Sequence, residues 1–373
     1  MISVLPVTEK KMLKRFIDFP HTLYKDDKNY VPELFIAQRD LLTPGKHPFH
    51  EHATVTLFLA FDGDIIKGRI ASILNKKSND FNKSSDGFFG FFDCVNDEQV
   101  AISLFDAAAN WLKSQKITRI IGPVNPSTND PCGLLIEGFD KPPVVMTPYN
   151  KPYYINLIEA AGFAKNTDLL AYFLETKTTD QRTLKLHEGL IKRLAQNHII
   201  IRPINMHDFK NEAKKLREVY NAAWDKNLGF VPMTDKEFDY LAKDLKMILD
   251  PKFCLIAEKE GKIVGFALAI ADINQILIKI KRGRLLPTGI FRLLLGKRKV
   301  NVVRVLALGV IEGYKRLGIE ACFYASIIER AAKKNIIGGE ASWILEDNFL
   351  MNKGIQSMNG KVYKKYRLFE KVI

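Results

Sequence analysis

Apolar and polar positions fall into blocks short enough to be strands or periodic enough to be helices. In Val55 to Leu74, VTLFLAFDGDIIKGRIASIL, two apolar runs flank Asp62-Gly63 and predict a β-hairpin. The aromatic run Gly87 to Val95 predicts a buried strand. Asp97 to Lys113 predicts a helix with alanines, leucines and Trp111 on its apolar face. Ile117 to Val124 predicts another strand, and Pro152 to Ala161 a short helix closed by Gly162. Ahead of these lie a short strand at Ile2 to Pro6 and helical sequence from Glu9 to Leu42, broken near Asn29-Tyr30-Val31-Pro32.

The same order then returns. His198 to Ile204 reads as a strand, His207 to Leu249 as two helical stretches, and Phe253 to Ile270 as a hairpin turning at Glu260-Gly261. After a basic insert come an apolar strand at Val302 to Val310, a polar turn, and an amphipathic helix from Ile319 to about Lys334. The strand GGEASWIL and a helix after Glu346 complete the set. Gly63 and Gly261, Asn150 and Asn348, and Gly162 and Gly360 are each 198 residues apart, and Val31-Pro32 and Val231-Pro232 are 200 apart. Repeated anchors with matching elements between them indicate an internal duplication. The expected fold is α/β (α+β, mixed sheet) in two tandem domains, residues 1–176 and 198–373, joined by a linker helix at 177–197.

Composition narrows the class. At 373 residues, two domains are the natural division, and 47% hydrophobic with 26% charged residues is a globular balance. No apolar run reaches membrane-spanning length, and the N-terminus MISVLPVTEKK lacks the order of a secretion signal. Cys94, Cys132, Cys254 and Cys322 are scattered in apolar contexts and read as reduced core residues, so the expected compartment is the cytoplasm. A net charge of +14 favours an acidic ligand without choosing among coenzyme phosphates, nucleic acid and an anionic membrane.

The sharpest chemical signal is VVRVLALGVIEGYKRLGIEA, Val302 to Ala321. A strand, a glycine-containing turn and a helix N-terminus make an anion site, because unpaired N–H groups and the helix dipole both favour a phosphate. Lys315 and Arg316 add charge there. The segment GYKRLGIE resembles the pyrophosphate-binding motif of the GCN5-related N-acetyltransferases, Q/R-x-x-G-x-G/A, with Lys315 at the first position, Gly318 matching, and Glu320 where a small residue is usual. Asn150 to Gly162-Phe163 and Asn348 to Gly360 both resemble the closing segment of that fold. The resemblance covers nearly the whole chain, which is also similar to a bacterial group of tandem acetyltransferase-fold proteins. In the first copy the equivalent turn carries Asp93, Asp97 and Glu98 and has neither glycine nor basic residue, so it caps a helix and repels a pyrophosphate. The second copy is therefore the expected acyl-coenzyme A site.

What the resemblance implies can be placed residue by residue. The co-substrate is acetyl-CoA or another acyl-CoA, with no metal, and the acceptor is a small-molecule or peptide amine. Leu308, Gly309 and Val310 would offer backbone N–H groups to the thioester carbonyl. Lys315, Arg316, Leu317, Gly318 and Ile319 would hold the pyrophosphate. Asn348 would hold the pantetheine arm or cap the last helix. Glu346 or Glu340 would take the amine proton, although a glutamate ahead of a helix is often only a cap. The tyrosine usual in the closing helix is replaced by Leu157 and Ile355, which leaves the general acid open, with Tyr314 and Tyr324 nearby in sequence.

Other stretches carry weaker signals. Asn125, Asn129, Tyr149, Tyr153 and Tyr154 in the first copy, and Trp224 and Asn227 in the second, sit in loops of the kind that shape pockets, though proline and asparagine also simply build turns. His47, His50 and His52 with Glu51 match no standard zinc spacing and read as a loop leading into a strand. Residues 276–299 are basic and apolar together. They fit a segment on an anionic membrane surface, a lid over an acyl chain, or a helix packed on its neighbour with lysine heads in water. Nucleic acid is disfavoured, since aromatic residues are scarce there. Two rival readings keep the fold: an aminoacyl-tRNA-dependent transferase, and a non-catalytic lipid- or partner-binding protein.

Overall fold

The first half begins with β1 (Ile2–Pro6), α1 (Lys10–Leu23), α2 (Phe35–Leu41), β2 (Ala53–Asp62), β3 (Ile65–Asn75) and α3 (Lys76–Asn82). It continues through β4 (Asp86–Cys94), α4 (Glu98–Ser114), β5 (Arg119–Gly122), β6 (Leu134–Glu137), α5 (Tyr154–Ala160) and β7 (Ala164–Glu175). Then come α6 (Gln181–Gln196), β8 (Ile199–Pro203), α7 (Phe209–Trp224), α8 (Asp235–Lys246), β9 (Cys254–Lys259) and β10 (Lys262–Ala271). Two short helices follow, α9 (Asn274–Leu277) and α10 (Gly289–Gly296). The chain closes with β11 (Val302–Val310), α11 (Ile319–Ala332), β12 (Gly338–Leu345), α12 (Phe349–Ser357) and β13 (Lys361–Val372). This computed structural model describes all residues but 179–180 and 225–228, with the backbone alone at 178 and 181–186.

The chain forms two compact units. One comprises residues 1–169, 274–297 and 364–373, and the other 170–273 and 298–363. In the first, β1 to β4 are antiparallel neighbours in chain order, β4 and β5 run parallel, and β13 closes antiparallel on both β5 and β6. In the second, β8 to β11 are antiparallel neighbours and β11 and β12 run parallel. The duplicated order is thus reproduced, with α4 and α11 as the crossover helices between the parallel strands.

Each unit buries its own apolar face. In the first, Phe89, Phe92, Phe105 and Phe163 interlock, with ring centroids 4.7–5.1 Å apart, against Leu104 and Leu112 of α4. In the second, Ile319, Cys322, Phe323 and Ile327 of α11 pack on Val303, Val305 and Val264. The four cysteines are all buried thiols outside any disulfide.

The units differ from the expected halves at two places, the first being that residues 170–197, with the helix expected as a linker, belong to the second unit. The second is that the insert at 274–297 and the last ten residues belong to the first unit. The reason lies in backbone pairing: Arg367 faces Leu134, and Phe369 faces Gly122, across sheet registers that chain order does not reveal.

Candidate active site in the second unit

Parallel strands β11 and β12 are in register only from Val302–Gly338 to Val305–Ala341, although β11 runs on to Val310 and β12 to Leu345. The partner on the other side explains where they part. Leu268 of β10 faces Ala307 while Ala269 faces Val305, so Leu306 is an extra residue on β11. Such a bulge bends the strand and re-aims its edge. The gap is a cavity of about 320 Å³ lined along one side by Val305–Val310 and along the other by Ala341–Leu345. Leu306 to Gly309 are only half-buried, in a strand whose first half is fully buried.

Several residues singled out from the sequence meet at this cavity. Leu308, Gly309, Val310, Lys315, Asn348 and Trp224 all line it. Trp224 reaches it from the end of α7, stacked on Tyr220 at 4.7 Å between centroids. Gly309 makes that approach possible, since a Cβ there would stand 2.4 Å from Trp224 Cζ3. Asn348 both lines the cavity and caps α12, its Oδ1 accepting from Met351 N at 3.3 Å. Asn227 lies outside the described residues.

The turn ahead of α11 forms the cavity's charged end, where Lys315 and Glu320 both lie on the lining. Gly318 is the N-cap residue, left-handed at φ 91°, and no side chain caps the helix. The first-turn N–H groups are thus left without a side-chain partner, and they carry the positive end of the helix dipole. A Cβ at Gly318 would come within 2.9 Å of Leu190 Cδ2, so glycine suits both the φ and the space. Arg316 and Leu317 shape the turn, Arg316 itself left-handed at φ 66°. Ile319 is fully buried and can contribute only its backbone. Lys315 pairs loosely with Glu312 at 3.2 Å, both exposed.

The two glutamates separate. Glu340 is fully buried, opposite Arg304 in the β11–β12 register, and its oxygens accept from Ser342 Oγ and Tyr363 OH. Arg304, 1% exposed, donates to Ser342 Oγ at 3.1 Å and lies over the Trp343 ring at 4.6 Å. Ser342 and Trp343 line the cavity but Glu340 does not, so Glu340 braces that wall from beneath instead of facing a substrate. Glu346 is exposed at the end of β12, next to the lining residue Leu345 and two residues before Asn348.

Sequence reasoning named Tyr324 without giving it a role and passed over Leu350 and Met351. Tyr324 is 6% exposed, and its hydroxyl has the Met351 thioether at 3.8 Å. Burial pushes its pKa well above the usual phenol range, so it stays protonated. Its place one turn beyond Glu320 on α11 was the available signal. Leu350 and Met351 also line the cavity. Phe349 and Leu350 are each 78% exposed, which leaves an apolar rim.

The first unit has the same parting of strands and fills it. β4 and β5 are in register only from Asp86–Arg119 to Phe88–Ile121, yet β4 continues to Cys94. There Phe91 N donates to Asn125 Oδ1 at 2.5 Å, and Cys94 N donates to Tyr154 OH at 3.0 Å. Tyr154 and Tyr24 both donate to Asp93 Oδ1, at 3.2 and 2.9 Å, while Arg69 binds Asp93 Oδ2. Tyr153 OH donates to Cys94 O and Tyr149 OH to Asp27. Asn129 N donates to Ser127 Oγ. The side chains of Asn125, Tyr149, Tyr153 and Tyr154, expected as substrate contacts, are engaged within their own unit. Helix α4 is capped by Asp97, whose Oδ1 accepts from Gln99 N and Val100 N.

The histidine run is held locally. His50 Nε2 lies 2.9 Å from Leu41 O and His52 Nδ1 3.1 Å from Asn75 Oδ1. Among the described residues no group of His, Cys, Asp or Glu is arranged to hold a metal, and no helix is long and apolar enough to cross a membrane.

No family model matches the chain. Among solved structures, a tandem GNAT protein from the clavulanic acid biosynthesis pathway aligns over 100% of this chain and 98% of its own, at TM-score 0.58 and 9% identity. A probable N-acyltransferase from Enterococcus faecalis V583 aligns over 100% and 73%, at TM-score 0.54 and 10% identity. The fold is therefore that of a tandem protein of the GCN5-related N-acetyltransferase superfamily. This chain belongs to the family of Protein YghO of Escherichia coli (strain K12), which is 36% identical over 98% of this chain and 94% of that protein. The bacterial ceramide synthase of Caulobacter vibrioides (strain NA1000 / CB15N) is 34% identical over 100% of this chain and 98% of its own.

Proposed function

We propose that the protein is an acyl-CoA-dependent N-acyltransferase, with its donor site in the second unit and a hydrocarbon-bearing amine as acceptor. One observation carries the reading: an open gap between β11 and β12 that ends at a helix N-terminus with no side-chain cap. The acceptor class is suggested by the name of the Caulobacter relative, a ceramide being an N-acylated long-chain amino alcohol, and by the exposed rim at Phe349 and Leu350. The first unit serves as a structural or substrate-holding copy.

The chemistry follows from these positions. Lys315 and the first turn of α11 hold the donor's phosphates, with Glu320 limiting that affinity. The backbone of Leu308–Val310, half-buried at Leu308 and Gly309, donates to the thioester carbonyl and to the oxyanion formed from it. Glu346 accepts the proton of the attacking amine. Tyr324, kept protonated by burial, donates to the departing thiolate. Trp224 and Trp343 flank the reacting groups.

The test is coenzyme A release from acyl donors of graded length, with a long-chain 2-amino alcohol and with water-soluble amines as acceptors. It is paired with calorimetry of donor binding to wild type and Gly318→Glu. Turnover with the long-chain amine, lost together with donor binding in the variant, supports the proposal. Turnover with soluble amines alone keeps the reaction and replaces the acceptor. Absence of binding to every acyl-CoA overturns it.

A further inference from the structure

The insert at 274–297 is not absorbed by this chemistry. Its outward face is apolar where a soluble surface is ordinarily polar. Phe291, Leu294 and Leu295 are 62%, 58% and 76% exposed, and their spacing sets them in one stripe on α10. Leu286, in the connection just before, is 79% exposed. The inner side of α10 instead carries a glycine at each end, with Ile290 and Leu293 half-buried between them. A Cβ on Gly289 would lie 2.5 Å from Arg284 O, and one on Gly296 would lie 3.0 Å from the Ile276 side chain. Close packing on that side fixes the stripe on the other.

The insert is also held firmly to its unit. Arg284 donates to both oxygens of Asp18 at 2.9 and 3.0 Å and lies 3.8 Å over the Phe35 ring. Asn274 Nδ2 donates to Pro143 O at 3.0 Å. Charge completes the pattern, since the sequence from Asn274 to Lys299 contains no acidic residue. Lys279, Lys281 and Arg282, in the stretch before α10, and Arg292 on it are exposed.

We infer that α10 and the loop before it dock this protein on an anionic lipid bilayer. Leu286, Phe291, Leu294 and Leu295 enter the interface while Lys279, Lys281 and Arg282 meet the headgroups. Exposed apolar residues in a segment that carries exposed cations and no acidic residue of its own are complementary to that surface. A second copy of this chain is a poor fit, because it would bring the same positive charge against itself. The inference does not depend on the donor site.

The test is co-sedimentation of the full-length protein with phosphatidylcholine vesicles, with and without phosphatidylglycerol. The triple variants are Phe291→Ser/Leu294→Ser/Leu295→Ser and Lys279→Gln/Lys281→Gln/Arg282→Gln, each checked by thermal melting. Wild type binds the anionic vesicles at least about tenfold more tightly than the neutral ones, and each triple variant loses at least about tenfold. Gly318→Glu leaves vesicle binding unchanged, so failure of the donor site and failure of docking are distinguishable. A readout that does not rely on loss is Leu295→Cys carrying a polarity-sensitive dye, selective because the native cysteines are buried. Its emission shifts to the blue on anionic vesicles, whereas the same dye at Ile65→Cys, on a hairpin position 64% exposed, does not shift. Absence of wild-type binding, binding unaltered in both triple variants, or no blue shift overturns the inference. So does a wild-type dimer that the serine variant dissociates while vesicles are ignored, which assigns the stripe to self-association.

Discussion

In the first unit the parallel strands part after Phe88 and Ile121, and in the second after Val305 and Ala341. The backbone event is the same, and the difference is what meets it. In the first unit Asn125 and Tyr154 occupy the N–H groups of Phe91 and Cys94, and Asp97 occupies the start of α4. In the second a cavity lies along Leu306–Val310, and the start of α11 has no side-chain cap. Two copies of one fold thus satisfy the same exposed backbone groups in opposite ways, one from within and one in a form suited to a ligand. A filled gap adds to stability, and an open one is available for binding.

The comparison can be tested at its strongest point with Arg69→Met. This leaves Asp93 buried without its cation, and breaking such a pair costs about 3–5 kcal/mol. Urea unfolding should show that loss, while donor affinity, measured where the variant is still folded, stays within about twofold of wild type. A fall in affinity comparable to the fall in stability would show that the first unit is part of the donor site.

The next effect is set by pH. His21 faces Tyr30 through Nδ1 at 3.0 Å, and its pKa is lowered to about 4 by burial, with Arg69, Arg282 and Arg284 adding to the shift and Asp18 opposing it. A histidine held below its unfolded pKa favours the folded state only while neutral. Its contribution is therefore intact above about pH 6.5 and is lost as pH falls towards about 4, by up to about 3 kcal/mol. His21→Gln should flatten the stability profile of the first unit between those values, and an unchanged profile would remove His21 from the explanation.

In the second unit Gly309→Leu places a side chain where Trp224 stands, and transfer should fall by on the order of 10²-fold. The thermal midpoint reports whether the loss is local. The smallest effect belongs to Asp97→Ala, which removes the cap of α4 and should cost about 1 kcal/mol without altering donor affinity.

Much of this was legible in order along the chain. The hairpins at Gly63 and Gly261, the strand Val302–Val310 and the helix after Gly318 follow from period and turn chemistry, which act over a few residues. So does the contrast between an acidic helix start at Asp97 and a glycine at Gly318. The final strand β13 was hidden by Lys364, which occupies a fully buried position and donates to Gly138 O and Lys141 O, both at 2.7 Å. A lysine reads as surface until the carbonyls that receive it are known, and these lie more than two hundred residues away in the chain. Arg304 and Glu340 share that character, being charged residues at core positions that both bond Ser342 and lie 3.9 Å apart as an ion pair.

By itself, the sequence determined most of the elements, their duplication and a helix start suited to an anion at Gly318, because helix period, turn chemistry and capping are local. Only the tertiary structure decided which gap is open. That depends on whether a side chain 34 residues away, Asn125, reaches the amide of Phe91, and on a bulge at Leu306 set by the strand beside it. Satisfying a buried amide is a requirement of every fold, but the group that satisfies it is chosen by packing in three dimensions.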